Sequence, residues 1–181
     1  MAMSEAEVSA ALAEALRECG DDERRWEIVT GLQLNGGAHA RAAAGRLIGS
    51  RDPQRRRLAV DVLGQLGAAP GRAAVHGPYR EEALTLLLGM AGSEPDAGVL
   101  ASIAVAFGHI GDARCVGPLV ALRGHPDPRV RHSVAFGLIG RDDPGVAETL
   151  ETLARDPDAE VRDWARFALG WSAGDGDGAD G

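Results

Sequence analysis

The sequence predicts an all-α fold, a right-handed α-solenoid of about five antiparallel helix pairs, and three observations predict it. The first is a 31-residue period: Glu94-Pro95-Asp96-Ala97-Gly98-Val99-Leu100, His125-Pro126-Asp127-Pro128-Arg129-Val130-Arg131 and Asp156-Pro157-Asp158-Ala159-Glu160-Val161-Arg162 follow one another at that step. The second is that apolar positions keep the same step, as Val99/Val130/Val161, Ile103/Val134/Ala165, Phe107/Leu138/Leu169 and Val105/Phe136/Phe167, with Leu119 and Leu122 answered by Leu150 and Leu153. A fixed period of this size marks stacked supersecondary units, each unable to bury its apolar face alone. The third is composition: 45% apolar but only 4% aromatic residues suits small, closely packed helices, and no stretch alternates as a strand would.

The elements follow in order. Ser4 and Glu7 form a capping box, and Val8, Ala11, Leu12, Ala15 and Leu16 then share one helical face until Gly20. Asp21 or Asp22 starts a second helix, with Trp26, Val29 and Leu32 inward and Asn35-Gly36-Gly37 as its stop. A third helix is expected from Ala38 to Ile48. Asp52-Pro53 places a capping residue before a proline at the first helical position, and Leu58, Val62, Leu63 and Leu66 follow, with Gly67 at the end. Residues 68–78 are rich in Gly and Pro and read as an inserted loop. Tyr79 to Met90 resumes a helix with Leu84, Leu87 and Leu88 inside. Asp112 is expected to cap a helix to Leu122, kinked at Pro118. Asp127-Pro128 begins its partner, ending near Gly140. Asp143-Pro144 begins the next, ending near Arg155, and Asp158 caps the last, to about Trp171. The chain thus divides into a repeat domain over 1–171, irregular in 1–78 and regular in 79–171, and a Gly/Asp tail over 172–181 expected to be disordered.

Composition bounds function more by exclusion. All 19 basic residues are Arg, against 27 acidic ones, for a net charge of -8. Residues 1–80 carry 11 Arg and 10 acids, whereas residues 81–181 carry 8 Arg and 17 acids. The acidic half repels phosphate backbones, which argues against nucleic-acid binding. No run is long and apolar enough for a membrane span, and the first 18 residues lack the basic segment of a signal peptide. Cys19 and Cys115 stand apart without metal spacing and read as reduced thiols of a cytoplasmic protein. His109, His125 and His132 do not fall at i, i+4 on one helix, so no metal site and no cofactor is expected. Gly108-His109-Ile110-Gly111 closes a helix and is no phosphate loop. Arg51, Arg55, Arg56 and Arg57 form the one basic cluster, read as a solvated helical turn balanced by Asp52 and Asp61. No nucleophile, base and orienting acid can be assembled from spacing.

Asp-Pro-Asp-x-x-Val-Arg followed by an Ala-rich helix ending in Leu-Gly resembles a HEAT repeat. The short period is similar to the HEAT-like repeats of phycobilisome lyases and of bacterial HEAT-repeat proteins. The resemblance covers Asp52 to Trp171 well and the first 50 residues weakly. It implies that the helix carrying Val-Arg is the inner one, lining a concave face. It also implies a structural ladder in which Asp127 with Arg131, and Asp158 with Arg162, tie turns to inner helices. Leu100 replaces the arginine in one copy, so the ladder is expected to break there. Two enzymatic branches fit poorly. The chain lacks the His-Glu iron ligands of deoxyhypusine-hydroxylase-type HEAT enzymes, and the basic face of HEAT-like DNA glycosylases.

On an inner helix, positions 0, 4, 7 and 8 after the Val face the core, and position 6 faces the open side. That position holds Val105, Phe136 and Phe167. Position 2 adds Ala101, His132 and Asp163, and position 3 adds Ser102, Ser133 and Trp164. The expected partner-binding strip is therefore Val105, Phe136, Trp164 and Phe167, edged by Arg131, His132, Asp163 and Arg166. The competing reading is that these rings fill space between helices. The function expected is a non-catalytic scaffold or adaptor that holds another protein or a peptide segment on this face. The alternative is a lyase-like accessory protein holding a small hydrophobic ligand in the same groove. Self-association through the last helix is a further possibility.

Overall fold

The computed structural model describes residues 2–17, 22–67 and 79–174. Among these there are ten α-helices and no strand. The chain divides into two compact units, Met1–Met90 and Ala91–Gly181.

The first unit holds α1 (Glu5–Arg17), α2 (Asp22–Asn35), α3 (Gly37–Leu47), α4 (Pro53–Gly67) and most of α5 (Arg80–Ala91). The capping box is made: the Ser4 backbone N–H donates to Glu7 Oε2 at 2.8 Å, and the Glu7 N–H donates back to Ser4 Oγ at 3.3 Å. Val8, Leu12 and Ala15 then face inward. At α4, Asp52 accepts the Gln54 N–H at 3.0 Å, and Pro53 begins the helix, where a missing N–H costs nothing. This helix packs against α1, α2 and α3 and buries Leu58, Ala59, Val60, Val62, Leu63 and Leu66. Each of its larger apolar side chains contributes about 1.5–3 kcal/mol by leaving water. A buried ion pair, Arg25 with Asp61, joins α2 to α4. Asp61, expected to balance the arginine cluster at 51–57, is thus also the partner of an arginine on α2. Trp26, expected inside, is 37% exposed, while Val29 and Leu32 on the same helix are buried. The expected stops at Gly20 and over 68–78, and Cys19, lie outside the described residues.

The second unit holds α6 (Ala97–Ile110), α7 (Val116–Ala121), α8 (Pro128–Gly137), α9 (Val146–Leu153) and α10 (Ala159–Gly174). Helices α6, α8 and α10 pack side by side in that order, with α7 against α8 and α9, and α9 against α8 and α10. The repeated positions are core: Val99, Val130, Val161, Ile103, Val134, Ala165, Phe107 and Leu138 are all fully buried. Gly108 and Gly137 permit the closest approach of α6 to α8. A Cβ on Gly108 would lie 2.9 Å from Gly137 Cα, and one on Gly137 would lie 2.8 Å from the Ala104 carbonyl oxygen.

Several element boundaries differ from the sequence reading. The helix expected from Asp112 to Leu122 is three short pieces. Asp112 caps a 3-10 turn over Ala113–Cys115, α7 follows, and a second 3-10 turn covers Leu122–Gly124. Pro118 falls in the first turn of α7, a position that tolerates a missing N–H. Helix α8 stops at Gly137, three residues before Gly140. Asp143-Pro144 does not open α9: its N-cap is Gly145 at φ 85°, a left-handed conformation that suits glycine, and Asp143 pairs instead with Arg141. Helix α10 continues through Ser172 to Gly174, residues expected in the tail; 175–181 lie outside the described residues.

Candidate functional site

The turns that precede α4, α6, α8 and α10 share one hydrogen-bonded cassette, of three parts at α4, α8 and α10 and of two at α6. The helix-capping aspartate accepts the backbone N–H two or three residues on: Asp52 from Gln54, Asp96 from Val99, Asp127 from Arg129 and Asp158 from Val161. Two residues earlier, a different side chain accepts the N–H of that aspartate each time. Ser50 does so at 3.2 Å, Glu94 at 2.9 Å, His125 through Nδ1 at 3.1 Å and Asp156 at 2.9 Å. Four residues after the aspartate, an arginine reaches back to two carbonyls of the turn. Arg56 donates to Ser50 and Arg51, Arg131 to His125 and Pro126, and Arg162 to Asp156 and Pro157.

Asp127 with Arg131, and Asp158 with Arg162, thus join turn to helix, the aspartate as cap and the arginine through the turn carbonyls. Asp127 pairs with Arg129 at 2.6 Å rather than with Arg131, and that guanidinium holds the Asp127 carboxyl down at about 2. Arg131 instead forks onto Asp156 of the next turn, with Nε to Oδ2 at 2.7 Å and Nη2 to Oδ1 at 2.8 Å. Both groups are nearly buried, and Arg131 holds Asp156 below the usual carboxylate range. The clasp links consecutive repeats. At Leu100 the guanidinium is missing, as expected, and the leucine is buried. Asp156 belongs to the repeated turn motif, but the motif does not reveal it as the partner of Arg131. The acceptors at 94, 125 and 156 signal only the bond to the capping aspartate two residues on.

The position-six row becomes a chain of ring contacts across α6, α8 and α10. His109 stands edge-to-face on Phe136 with centroids 5.6 Å apart, and Phe136 meets Trp164 at 5.9 Å. Trp164 meets Phe167 at 5.7 Å and His132 at 5.3 Å. Such edge-to-face pairs fix ring orientation and add about 0.5–1.5 kcal/mol each beyond area burial. Phe136, Trp164, His132 and Val105 are half-buried, whereas Phe167 is 51% exposed. The row is therefore neither a closed core nor a free surface: its helix-side rings are packed, and its outer edge is open to solvent.

Of the edging residues, Asp163 and Arg166 are exposed and form no ion pair among the described residues. Arg131 is withdrawn into its clasp and does not edge the strip. His109 was missed as a strip residue. It lies four residues after Val105, one helical turn along the same face, and burial pushes its imidazole below the ordinary histidine value. Beside the row, Pro128, Arg129, His132, Ser133, Asp158 and Glu160 line a recess of about 170 Å³. That volume is below the several hundred Å³ usual for small-molecule sites, and it suits a single inserted side chain. Among the described residues no three His, Cys, Asp or Glu side chains are placed to hold a metal ion, and no described helix is long and apolar enough to cross a membrane.

Comparison with known proteins places this geometry in a fold. The family of HEAT repeats matches residues 84–170. Among solved structures, the chain is similar to YibA of Escherichia coli, at 22% identity and a TM-score of 0.69, covering 94% of this chain and 63% of that one. It is similar to a chain of the Pds5–Scc1 complex, at 14% identity and a TM-score of 0.60, covering 91% and 28%. It is also similar to a designed armadillo repeat protein, at 16% identity and a TM-score of 0.53, covering 93% and 87%. The chain thus spans less than two thirds of the length of the first two. Among curated proteins none matches it in sequence. The expected α-solenoid class holds.

Proposed function

On the premise that residues 84–170 are HEAT repeats, we propose that the chain is a non-catalytic interaction module holding a partner protein or peptide segment on the α6–α8–α10 face. The observation that carries this reading is the ring row, packed on its helix side and open at Phe167. Rings already fixed by one another lose little freedom on binding, so their remaining apolar area converts efficiently to affinity. Aromatic anchors surrounded by polar residues are what dominates protein interfaces. The Arg131–Asp156 clasp supports the same reading, because it ties α8 to the turn that opens α10 and so helps to hold their rings in register. One of the similar folds is found in the Pds5–Scc1 complex, which accords with a solenoid that works by binding another protein.

The test is affinity capture from the host lysate with the wild-type chain and with Phe167→Asp. Because the side chain is half in water, the variant is expected to keep wild-type helicity by circular dichroism and to lose at least about tenfold in capture, a cost typical of removing one hot-spot residue. Equal capture by a folded variant excludes the face as the docking site.

A further inference from the structure

We infer that the segment bound on this face is cationic next to its apolar anchor, with an Arg or Lys side chain entering the recess at Asp158 and Glu160. This inference rests on the docking reading above and adds the partner's chemistry. Three observations meet at the same edge of the ring row.

The first is charge. Glu160, Asp163, Trp164 and Phe167 fall at i, i+3, i+4 and i+7 on α10, so two carboxylates flank the exposed ring along one helical face. Both acids are exposed, and neither forms an ion pair among the described residues. The second is the recess, whose lining includes Asp158 and Glu160 as well as His132, the residue that stands on Trp164. Asp158 spends Oδ1 on the Val161 N–H at 3.2 Å, and its Oδ2 takes no bond among the described residues. The third is that the one arginine in that lining, Arg129, is already held by Asp127 through two contacts at 2.6 and 3.1 Å. Its charge is largely matched there; of the two acids in the lining, Asp158 also feels Arg131, and Glu160 has no counter-ion among the described residues.

A cation entering at this point gains from both sources. It pairs with the exposed Glu160 carboxylate and with the Asp158 oxygen that the helix cap does not use, and it lies beside the Trp164 and Phe167 rings, whose faces attract cations. An acidic segment would instead place like charges side by side, which is how such edges exclude wrong partners. Arg166 is the exposed cation on the same helix, but it sits about 60° around the helix from Asp163, on the side away from Trp164.

The test is selection of displayed random twelve-residue peptides on the full chain, with counter-selection on Phe167→Asp. Enriched peptides are expected to carry an aromatic or aliphatic residue with Arg or Lys within a few positions. Their synthetic forms should bind Glu160→Gln/Asp163→Asn about three- to tenfold more weakly than wild type, and should weaken as salt rises. Replacing their cations with Glu should abolish binding. Enriched peptides that are neutral or acidic, or whose affinity is indifferent to the double variant, overturn the inference while leaving the docking face standing. Failure to enrich any Phe167-dependent peptide overturns both.

Discussion

At the scale of single residues, Phe136 and Phe167 share a repeat position but not a fate. Phe167 is at the open edge, so a charge there is tolerated by the fold. Phe136 is half-buried between His109 and Trp164, and Phe136→Asp should cost about 1–3 kcal/mol in urea unfolding, because a carboxylate would be partly desolvated without a partner. The Arg131 clasp makes a second prediction. Arg131→Leu, which recreates what Leu100 already is one repeat earlier, leaves the nearly buried Asp156 without its bidentate counter-ion. It should destabilise by about 2–4 kcal/mol, and Arg131→Leu/Asp156→Leu should regain part of that loss. Acid adds a third. Arg129 depresses the Asp127 carboxyl from 3.8 to about 2, so the pair's stabilisation is intact above the ordinary value and disappears as pH falls through that window. A carbon NMR titration should place the Asp127 midpoint well below 3.8 in wild type and nearer to it in Arg129→Gln. An unchanged midpoint in the variant would show that the pair does not set the titration.

At the scale of elements, the spacing of α6 and α8 is set by two glycines. Gly137→Ala should lower the unfolding midpoint, costing about 1–3 kcal/mol, since the new methyl meets the Ala104 carbonyl and both must shift. Gly117→Ala on α7 has open space and should be neutral or stabilising by up to about 1 kcal/mol. Comparable effects from the two would mean that the helices do not approach as closely as described. The contrast also marks what can be read from sequence. Core positions of the inner helices were legible, because Val99, Val130 and Val161 repeat with the helical faces they belong to. The capping aspartates were legible for the same reason. The breaks around α7 were not, because Asp112 caps a 3-10 turn with the same hydrogen bond that would open an α-helix. Gly145 displaced Asp143 as the N-cap of α9, since a left-handed residue ended the turn and Arg141 had already taken the carboxylate. Trp26 fits the inward spacing with Val29 and Leu32, yet its bulk lies at the edge of that face.

At the scale of the molecule, the strip could be located from sequence but not its openness. Periodicity placed Phe136, Trp164 and Phe167 on one face. How deeply each ring sits depends on side-chain packing between helices that are distant in the chain. Arg131 looked like an edge residue for the same reason: nothing local announced that a carboxylate 25 residues on would draw it inward. Net charge was legible at once, and with -8 overall the chain should give no mobility shift of duplex DNA even at low salt. A salt-sensitive shift would revive a nucleic-acid partner. The docking face is tested most directly by photo-crosslinking in the host lysate, with a benzophenone amino acid placed at Phe167 or at the exposed Thr152 of α9. A protein adduct formed from position 167 and not from position 152 is expected. An adduct of the same protein from both positions, or from 152 alone, would contradict the α6–α8–α10 face as the place where this chain meets its partner.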